Sequence, residues 1–355
     1  MNSFNDPSEY LSAIVKTGLP TKRRLKEHLQ KILRGKIVKF IETTNTPALL
    51  VVYRAGQELR IIKAESNNPP LTTIKEIHWY RTLGNENKAT AHFFGGLFNN
   101  QVAAYELQFL HSHCSLEQMI AHHQITSGEL DAYLARVLNI LLELFSARES
   151  ELVSFEKAET VYWAKIRSRM KEVMEIQWLR RLVCKKRVIV NGKEFYGIPY
   201  ILERLSDLHL RRKFTPCDWG FIHGDLHFGN ILVSAGDIKL IDPNGLLRLP
   251  LEYDLGKILH SIHGLYNHIH LGEYFLKPEH SEDNYTFIIE GGDVLRNALV
   301  FFKKRFEGKM FLRSHFSECC HFLTMLPHHA RNKKEARALY LRTLELFHEF
   351  FELEA

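Results

Sequence analysis

The sequence has few cysteines and no long apolar run, and both absences narrow its class. Its 355 residues include five cysteines, an odd number without a CxxC pair, so neither a disulfide framework nor a cysteine zinc site is expected. No stretch approaches the apolar length that spans a bilayer, and the first residues lack the basic segment and apolar core of a secretory signal. We therefore expect reduced thiols, a cytoplasmic location and no membrane span.

The composition shows no bias toward disorder and no strong excess of charge. Hydrophobic residues make up 45% and charged residues 25% of the chain, as in ordinary globular proteins. A net charge of +6 is modest for a nucleic-acid binder, and no RRM or zinc-finger motif accompanies it, so no nucleic-acid partner is expected. The length favours two domains.

The most informative region runs from residue 221 to residue 245. Asn230 follows Asp225 by five residues, and Asp242 follows Asn230 by twelve. Transfer of a γ-phosphoryl group from ATP needs a carboxylate that accepts the acceptor's hydroxyl proton, and oxygen ligands that hold Mg²⁺ against the phosphates. Asp225 suits the first role, and Asn230 with Asp242 suits the second.

The residues between Asn230 and Asp242 predict a hairpin. Two short apolar segments, 231–233 and 238–241, flank the polar residues 234–237, a pattern typical of two strands joined by a turn. Such a hairpin would bring Asn230 and Asp242 to the same end.

This HxDxxxxN motif, followed by a hairpin and an IDxxG sequence, resembles the aminoglycoside phosphotransferase and choline kinase-like family, relatives of the protein kinases. The resemblance implies an α+β, two-lobed protein-kinase-like fold, with a small antiparallel-sheet N-terminal lobe and a larger, mostly helical C-terminal lobe. It also implies ATP and Mg²⁺ as cofactors. We expect residues 1–108 to form the nucleotide-binding lobe, with a leading helical segment, and residues 109–355 to form the catalytic and acceptor-binding lobe.

The first third of the chain predicts the nucleotide lobe. Residues 37–41, 48–53 and 59–64 are β-rich and separated by turn residues, which indicates an antiparallel meander with Lys63 on its third strand. A kinase-type lobe needs a cation there for the α- and β-phosphates, and a glutamate on the next helix to orient it. Glu76 is the candidate for that glutamate. Thr73-x-x-Glu76 is also a capping box, so a helix-start role for Glu76 stays open.

Two segments are expected to contact the nucleotide. Residues 42–47 lack a GxGxxG motif, but Thr44 and Asn45 could offer hydroxyl, amide and backbone N–H groups to phosphate oxygens. Residues 93–109 read as a further hairpin. The family resemblance implies that the backbone near Glu106 and Leu107 hydrogen-bonds adenine.

Three supporting residues follow from the resemblance. His223 would pack and orient the catalytic loop, His227 would touch phosphate or buttress Asp225, and Asp254 would brace the loop, with a simple helix N-cap as the alternative for Asp254. Asp254 follows Asp242 by only twelve residues. That distance leaves no room for a peptide-docking activation segment, so a small-molecule acceptor is favoured.

The acceptor site is the least determined feature. Residues 155–215 are both aromatic and basic, with clusters at 180–187 and 211–213, and the resemblance implies that such an insertion shapes the acceptor pocket. Arginine suits bidentate binding of phosphate or carboxylate, which favours an anionic acceptor. A solvated basic surface is the alternative. Twenty histidines without an HExxH pattern do not predict a zinc site.

The sequence therefore predicts an ATP- and Mg²⁺-dependent phosphotransferase that acts on a hydroxyl of a small molecule. A weaker resemblance of residues 260–266 and 324–328 to family members linked to bacterial capsule or surface-polysaccharide synthesis suggests a sugar or sugar phosphate. A catalytically silent nucleotide-binding regulator and a protein kinase are the alternatives. Silence would be marked by loss of Lys63, Asp225 or Asp242, and all three are present. The oligomeric state is not predicted.

Overall fold

The computed structural model describes residues 7–16, 21–41, 48–67, 69–147, 150–279 and 283–355. They form two compact units. The first comprises the chain up to Ser115 together with residues 223–225 and 230–247, and the second comprises the remainder. The predicted α+β class is confirmed, since the first unit is built on an antiparallel sheet and the second is mostly helical.

A five-stranded antiparallel sheet forms the centre of the first unit. In spatial order its strands are Ile37–Ile41, Ala48–Ala55, Glu58–Ser66, Val102–Gln108 and Phe93–Phe98. The meander and the later hairpin lie where the sequence predicted them. The register sets Lys63 beside Leu50 on one neighbouring strand and beside Tyr105 on the other.

Three helices and a small second sheet complete the first unit. The helices are Pro7–Lys16, Lys22–Ile32 and Leu71–Leu83. The first two belong to the same apolar cluster as the sheet, through Leu11, Ile14, Leu25 and Leu29. The second sheet pairs Ile231–Ser234 with both Asp237–Leu240 and Cys114–Ser115.

The hairpin predicted after Asn230 closes with a tight turn. Ala235 and Gly236 occupy this turn with φ values of 41° and 84°. Two successive left-handed residues are typical of the two-residue turn that matches strand twist. The turn therefore sets the register in which Ile231 faces Leu240, and this places both ends of the hairpin together.

The second unit consists of helices around one large apolar core. Its helices are Leu116–Ala121, Ser127–Ser146, Phe155–Glu159, Lys165–Glu175, Gln177–Val183, Ile198–Ser206, Leu208–Phe214, Leu251–Ile262, Tyr266–Leu271, Gly292–Arg305, Lys309–Met325 and Lys333–Glu354, with a π-helical turn at Thr160–Ala164 and 3-10 turns at Phe228–Asn230 and Leu326–His329. Its strands are Glu151–Leu152, Arg187–Val190, Lys193–Tyr196, Asp218–Phe221, Arg248–Leu249, Phe275–Pro278 and Asn284–Ile288. Across the described part of the chain, no helix combines the length and apolarity needed to cross a membrane.

Candidate active site

Lys63 lies at the centre of a buried ionic cluster in the first unit. Its side chain is only 7% exposed, and its Nζ donates to Glu76 Oε1 at 2.9 Å. The same ammonium group pairs with the carboxylate of Asp242. Tyr105 donates its hydroxyl to the second oxygen of Glu76 at 2.9 Å. Both oxygens of Glu76 are therefore hydrogen-bonded, which holds the carboxylate toward Lys63.

The helix that carries Glu76 does not have the capping box that the sequence allowed. The helix begins at Leu71 with no side-chain cap, so Glu76 lies in its second turn rather than at its N3 position. The backbone N–H of Thr73 donates instead to Glu65 at 2.9 Å. Of the two roles that the sequence left open for Glu76, the structure shows the contact with Lys63 and not the capping box.

Asp242 is held by an unusual backbone. Its φ of 60° lies in the left-handed region, which non-glycine residues other than Asn and Asp rarely adopt. Three residues later Gly245 has a φ of 73° and packs so closely on the Leu71–Leu83 helix that a Cβ would lie 2.5 Å from the carbonyl carbon of Lys75. Only glycine fits there, so the turn and this helix can approach and bring Asp242 to Lys63.

The charges in this cluster perturb one another. Burial by itself would lower the pKa of Lys63, but the charges of Asp242 and Glu76, with their hydrogen bonds, outweigh it and hold that pKa above its ordinary value. For Glu76 burial prevails over the lowering effect of Lys63 and raises the pKa to about 7. Lys63 thus stays a cation, while the charge of Glu76 depends on pH near neutrality.

The loop that carries Asp225 is tied to the strand end before Asp242. His223 is fully buried, and its Nε2 lies 2.9 Å from the carbonyl oxygen of Ile241. Its Nδ1 accepts from the Asp225 N–H at 3.3 Å, which requires that Nε2 carry the proton. A neutral imidazole therefore positions Asp225 relative to Ile241.

Asn244 fastens the same loop a second time. Its backbone N–H donates to the His223 carbonyl at 3.1 Å, and its side-chain amide donates to the Gly224 carbonyl at 2.6 Å. Gly224 has a φ of 81°, and a Cβ there would lie 2.4 Å from the Asn244 amide oxygen. The role of Asn244 in holding this loop was not predicted from the sequence. Its position in the Pro-Asn-Gly turn after Asp242 is the signal that could have indicated it. Tyr105 was missed as well, because it lies in an apolar strand and reads as core.

Asn230 and Asp242 offer the oxygen donors that Mg²⁺ prefers. The Asn230 amide nitrogen donates to the Asp225 carbonyl at 2.9 Å, so the amide oxygen is the atom of this side chain that could bind a cation. The Asp242 carboxylate is half exposed and already faces a cation, the Lys63 ammonium. These residues fit a divalent cation through hard oxygen ligands, with Asp225 on the same loop.

An apolar cavity of about 290 Å³ adjoins Lys63 and Asp242 within the first unit. Its walls are mostly aliphatic and aromatic: Ile41, Leu50, Ile61, Tyr80, Ala91, Tyr105, Leu107, Phe109, Leu110, Leu232 and Ile241. A flat heteroaromatic ring suits such a slot, with charged groups at one end for orientation. Cavity and ionic cluster together can hold a ring and a phosphate chain.

Of the residues predicted to contact the nucleotide, Leu107 and Glu106 have different surroundings in the structure. Leu107 lines the cavity. The Glu106 side chain is fully buried and accepts hydrogen bonds from the Tyr53 hydroxyl and from Arg60, the latter at 3.1 Å. Thr44 and Asn45 lie outside the described residues.

His227 and Asp254 belong to the second unit. His227 Nδ1 accepts from the Gly229 N–H at 3.2 Å, and its ring contacts Tyr266 edge-on with the centroids 6.0 Å apart. Asp254 is fully buried in the first turn of helix Leu251–Ile262, whose N-cap residue is Pro250. The nearby N–H of Phe228 donates to Ser261 on that helix at 3.0 Å, a contact that the sequence did not predict.

The two basic clusters lie in different surroundings in the second unit. Arg211 forms an ion pair with Glu159 at 2.8 Å, lies over the Trp163 ring, and lines a separate cavity of the second unit together with that ring. Arg181 and Lys185 line a cavity in the second unit. The histidines also gather: His263, His315 and Glu349 meet in one group, and His270, His329 and Glu335 in another, because helices distant in sequence supply carboxylates that no local pattern revealed.

Two of the comparisons with known proteins concern sequence: a family model and one curated relative. Residues 117–275 match the model of the phosphotransferase enzyme family. Over 53 residues the chain is 43% identical to the methylthioribose kinase of Geobacillus kaustophilus (strain HTA426), a match that covers 15% of this chain and only 13% of that kinase.

Solved structures show the same fold at low identity. The apo form of a thermostable mutant of aminoglycoside phosphotransferase APH(4)-Ia aligns with a TM-score of 0.57 at 12% identity, over 91% of this chain and 98% of that chain. A ternary complex of such a mutant with AMP-PNP and hygromycin B gives a TM-score of 0.56 at 11% identity, over 90% and 97% of the two chains.

The fold is that of the protein-kinase-like phosphotransferases which these solved structures represent. The segment from Glu117 to Phe275 is similar in sequence to the phosphotransferase enzyme family, whose model matches that part of the chain. The resemblance read from the HxDxxxxN and IDxxG motifs is confirmed.

Proposed function

We propose that this protein transfers the γ-phosphoryl group of ATP, with Mg²⁺, to a hydroxyl of a small molecule, and that the acceptor is a sugar or sugar phosphate. One observation carries the proposal. Buried Lys63 and Glu76 form an ionic cluster with the half-exposed Asp242 beside an apolar cavity, and Asp225 and Asn230 lie on the loop joined to it. A cytoplasmic location belongs to the same proposal.

Each residue has a role in this reaction. Asp225 would accept the proton of the acceptor hydroxyl as its oxygen bonds to the γ-phosphorus and the bond to the β-phosphate oxygen breaks. Lys63, oriented by Glu76, would hold the α- and β-phosphates. Asn230 and Asp242 would hold Mg²⁺, which neutralises the phosphate charge when bound. His223 would act as a positioning residue for Asp225.

The experiment is a screen of sugars, sugar phosphates and amino alcohols for acceptor-dependent consumption of Mg·ATP. In parallel, Asp225→Asn should lower turnover by about 10²–10⁴-fold, because general-base catalysis is lost. ATP binding should survive, since the asparagine side chain is close in size to the aspartate and Lys63 keeps both of its carboxylate partners. Near-normal turnover in this variant would remove Asp225 from the mechanism.

The same screen separates the rival function. A silent nucleotide-binding regulator would bind Mg·ATP, release no ADP with any acceptor, and respond to Asp225→Asn in neither assay. Saturable ATP binding without turnover across the whole library would favour that rival.

A further inference from the structure

The second unit contains a basic cavity that the phosphotransfer site does not use. Its volume is about 380 Å³, and its walls carry four cationic side chains and two aromatic rings, from Arg181, Lys185, Lys333, Arg337, Trp178 and Tyr285. This volume falls within the range of small-molecule sites and exceeds what a single phosphate needs.

Two helices supply most of the side chains that line the cavity. Trp178 and Arg181 are three residues apart on helix Gln177–Val183, and Lys185 follows directly after that helix. Lys333 and Arg337 are four residues apart at the start of helix Lys333–Glu354. Residues three or four apart share one helix face, so both helices direct a pair of side chains into the same space.

The charge of the cavity is strongly one-sided. Among the described residues, no acidic side chain lines it, and the wall residue Lys185 forms an ion pair with Asp283. Glu335 is acidic and lies between Lys333 and Arg337 in sequence, but it is buried and bonds His270 and His329. Several positive charges that line one concave site attract anions and raise their local concentration.

The start of helix Lys333–Glu354 adds to this field. The helix is 22 residues long and is capped by the Asn332 side chain, which accepts from the Glu335 N–H, and its dipole places partial positive charge at its first turn. Lys333 Nζ lies 5.9 Å from the Trp178 ring centroid, and Lys185 Nζ lies 5.7 Å from that of Tyr285. The aromatic rings thus form an apolar wall beside the cationic groups.

We infer that this cavity binds a small molecule that carries two or more phosphate groups. Arginine side chains suit phosphate because their planar donors bind two oxygens at once. Two arginines and two lysines from different elements fit separated phosphates, while Trp178 and Tyr285 contact the body of the ligand. This inference does not rest on the proposed function, because it concerns binding in the second unit alone.

The test measures binding of tripolyphosphate without Mg²⁺, by calorimetry and by intrinsic fluorescence. We expect saturable binding at one site in this cavity, with a change in fluorescence that Trp178→Phe abolishes. Arg181→Glu with Arg337→Glu should weaken this binding by at least about tenfold, because two charge-assisted contacts are lost. Arg181 and Arg337 are both exposed, so folding should survive, as thermal melts will verify.

The chain offers a matched control. Arg180 and Lys334 are exposed neighbours of the lining residues, but they do not line the cavity. Arg180→Glu with Lys334→Glu makes the same change in net charge and should leave the affinity within about twofold. Equal weakening by both pairs would reduce the effect to diffuse attraction and overturn the inference. The absence of saturable tripolyphosphate binding would also overturn the inference. So would binding of a single-stranded oligonucleotide that is tighter than that of tripolyphosphate and is weakened by the Arg181→Glu and Arg337→Glu changes.

Discussion

The charge of Glu76 offers the sharpest test of the ionic cluster. Glu76→Gln keeps the size of the side chain and can keep the hydrogen bonds to Lys63 Nζ and to the Tyr105 hydroxyl, each 2.9 Å long, but it removes the negative charge. Lys63 retains Asp242 as a second partner, so loss of the Glu76 charge should weaken its orientation toward the phosphates only in part. We expect about 2 kcal/mol less stabilisation of the transition state, which corresponds to an about 30-fold fall in kcat/KM for Mg·ATP.

The assay pairs kinetics with thermal melting. Because Gln preserves the hydrogen bonds, the melting temperature should change by no more than about 2 °C. The control is Glu65→Gln, since Glu65 is equally buried and bonds the Thr73 N–H rather than Lys63. It should leave kcat/KM within about twofold. Unchanged kcat/KM in Glu76→Gln, or equal losses in both variants, would refute the reasoning.

The pKa of Glu76 adds a pH dependence with a definite sign. Because burial raises that pKa to about 7, the carboxylate and its ion pair form as pH rises through about 7, and kcat/KM for Mg·ATP should rise with them. Glu76→Gln should lack this limb of the profile. Stability should move the other way: the folded protein binds the proton more tightly than the unfolded chain, so the contribution of Glu76 to stability falls between its ordinary pKa and about 7.

Further predictions concern the metal, the turn and the core of the second unit. Asp242→Ala should abolish the Mg²⁺-dependent part of nucleotide affinity, measured by calorimetry with and without Mg²⁺, and an unchanged Mg²⁺ dependence would leave Asp242 as a turn residue only. Gly245→Ala should destabilise the first unit by about 1–3 kcal/mol in denaturant titrations, because a left-handed φ and a backbone clash combine there; a wild-type midpoint would contradict this. His263 bridges Glu318 and Glu349 at 3.0 Å each, and these charges raise its pKa to about 9 in spite of burial. His263→Gln should therefore cost about 3 kcal/mol at pH 7, and the difference from wild type should shrink as pH rises through 9, since the stabilising charge is complete below the ordinary pKa of histidine and lost above 9.

Local sequence patterns predicted much of the candidate site. Asn230 and Asp242 flank a hairpin whose pairing needs only a two-residue turn, so local chemistry sufficed to bring them together. Lys63 and Glu76 are thirteen residues apart in a strand followed by a helix, and a kinase-type lobe places its cation and glutamate on such a pair of elements. The fold class followed from these elements, together with the family resemblance.

Contacts between distant segments lay beyond sequence reasoning. Lys63 and Asp242 are 179 residues apart, and their ion pair depends on a left-handed backbone and on a glycine packed against a helix. Tyr105 reads as an ordinary core residue until the strand register sets it beside Lys63. The raised pKa of Glu76 arises from burial, which is a property of packing rather than of residue order.

The sequence by itself determined which chemical groups are available to this protein, because carboxylate, amide and ammonium groups at motif spacing on local elements are those that the proposed proton acceptance and cation binding require. The tertiary structure alone decided which of these groups meet. It paired Glu76 with Lys63 instead of a helix end, assigned Arg211 to Glu159, and joined Arg181 to Arg337 across one cavity. The physical reason is that side chains far apart in the chain come into contact only when the apolar faces of their helices and strands pack into a common core.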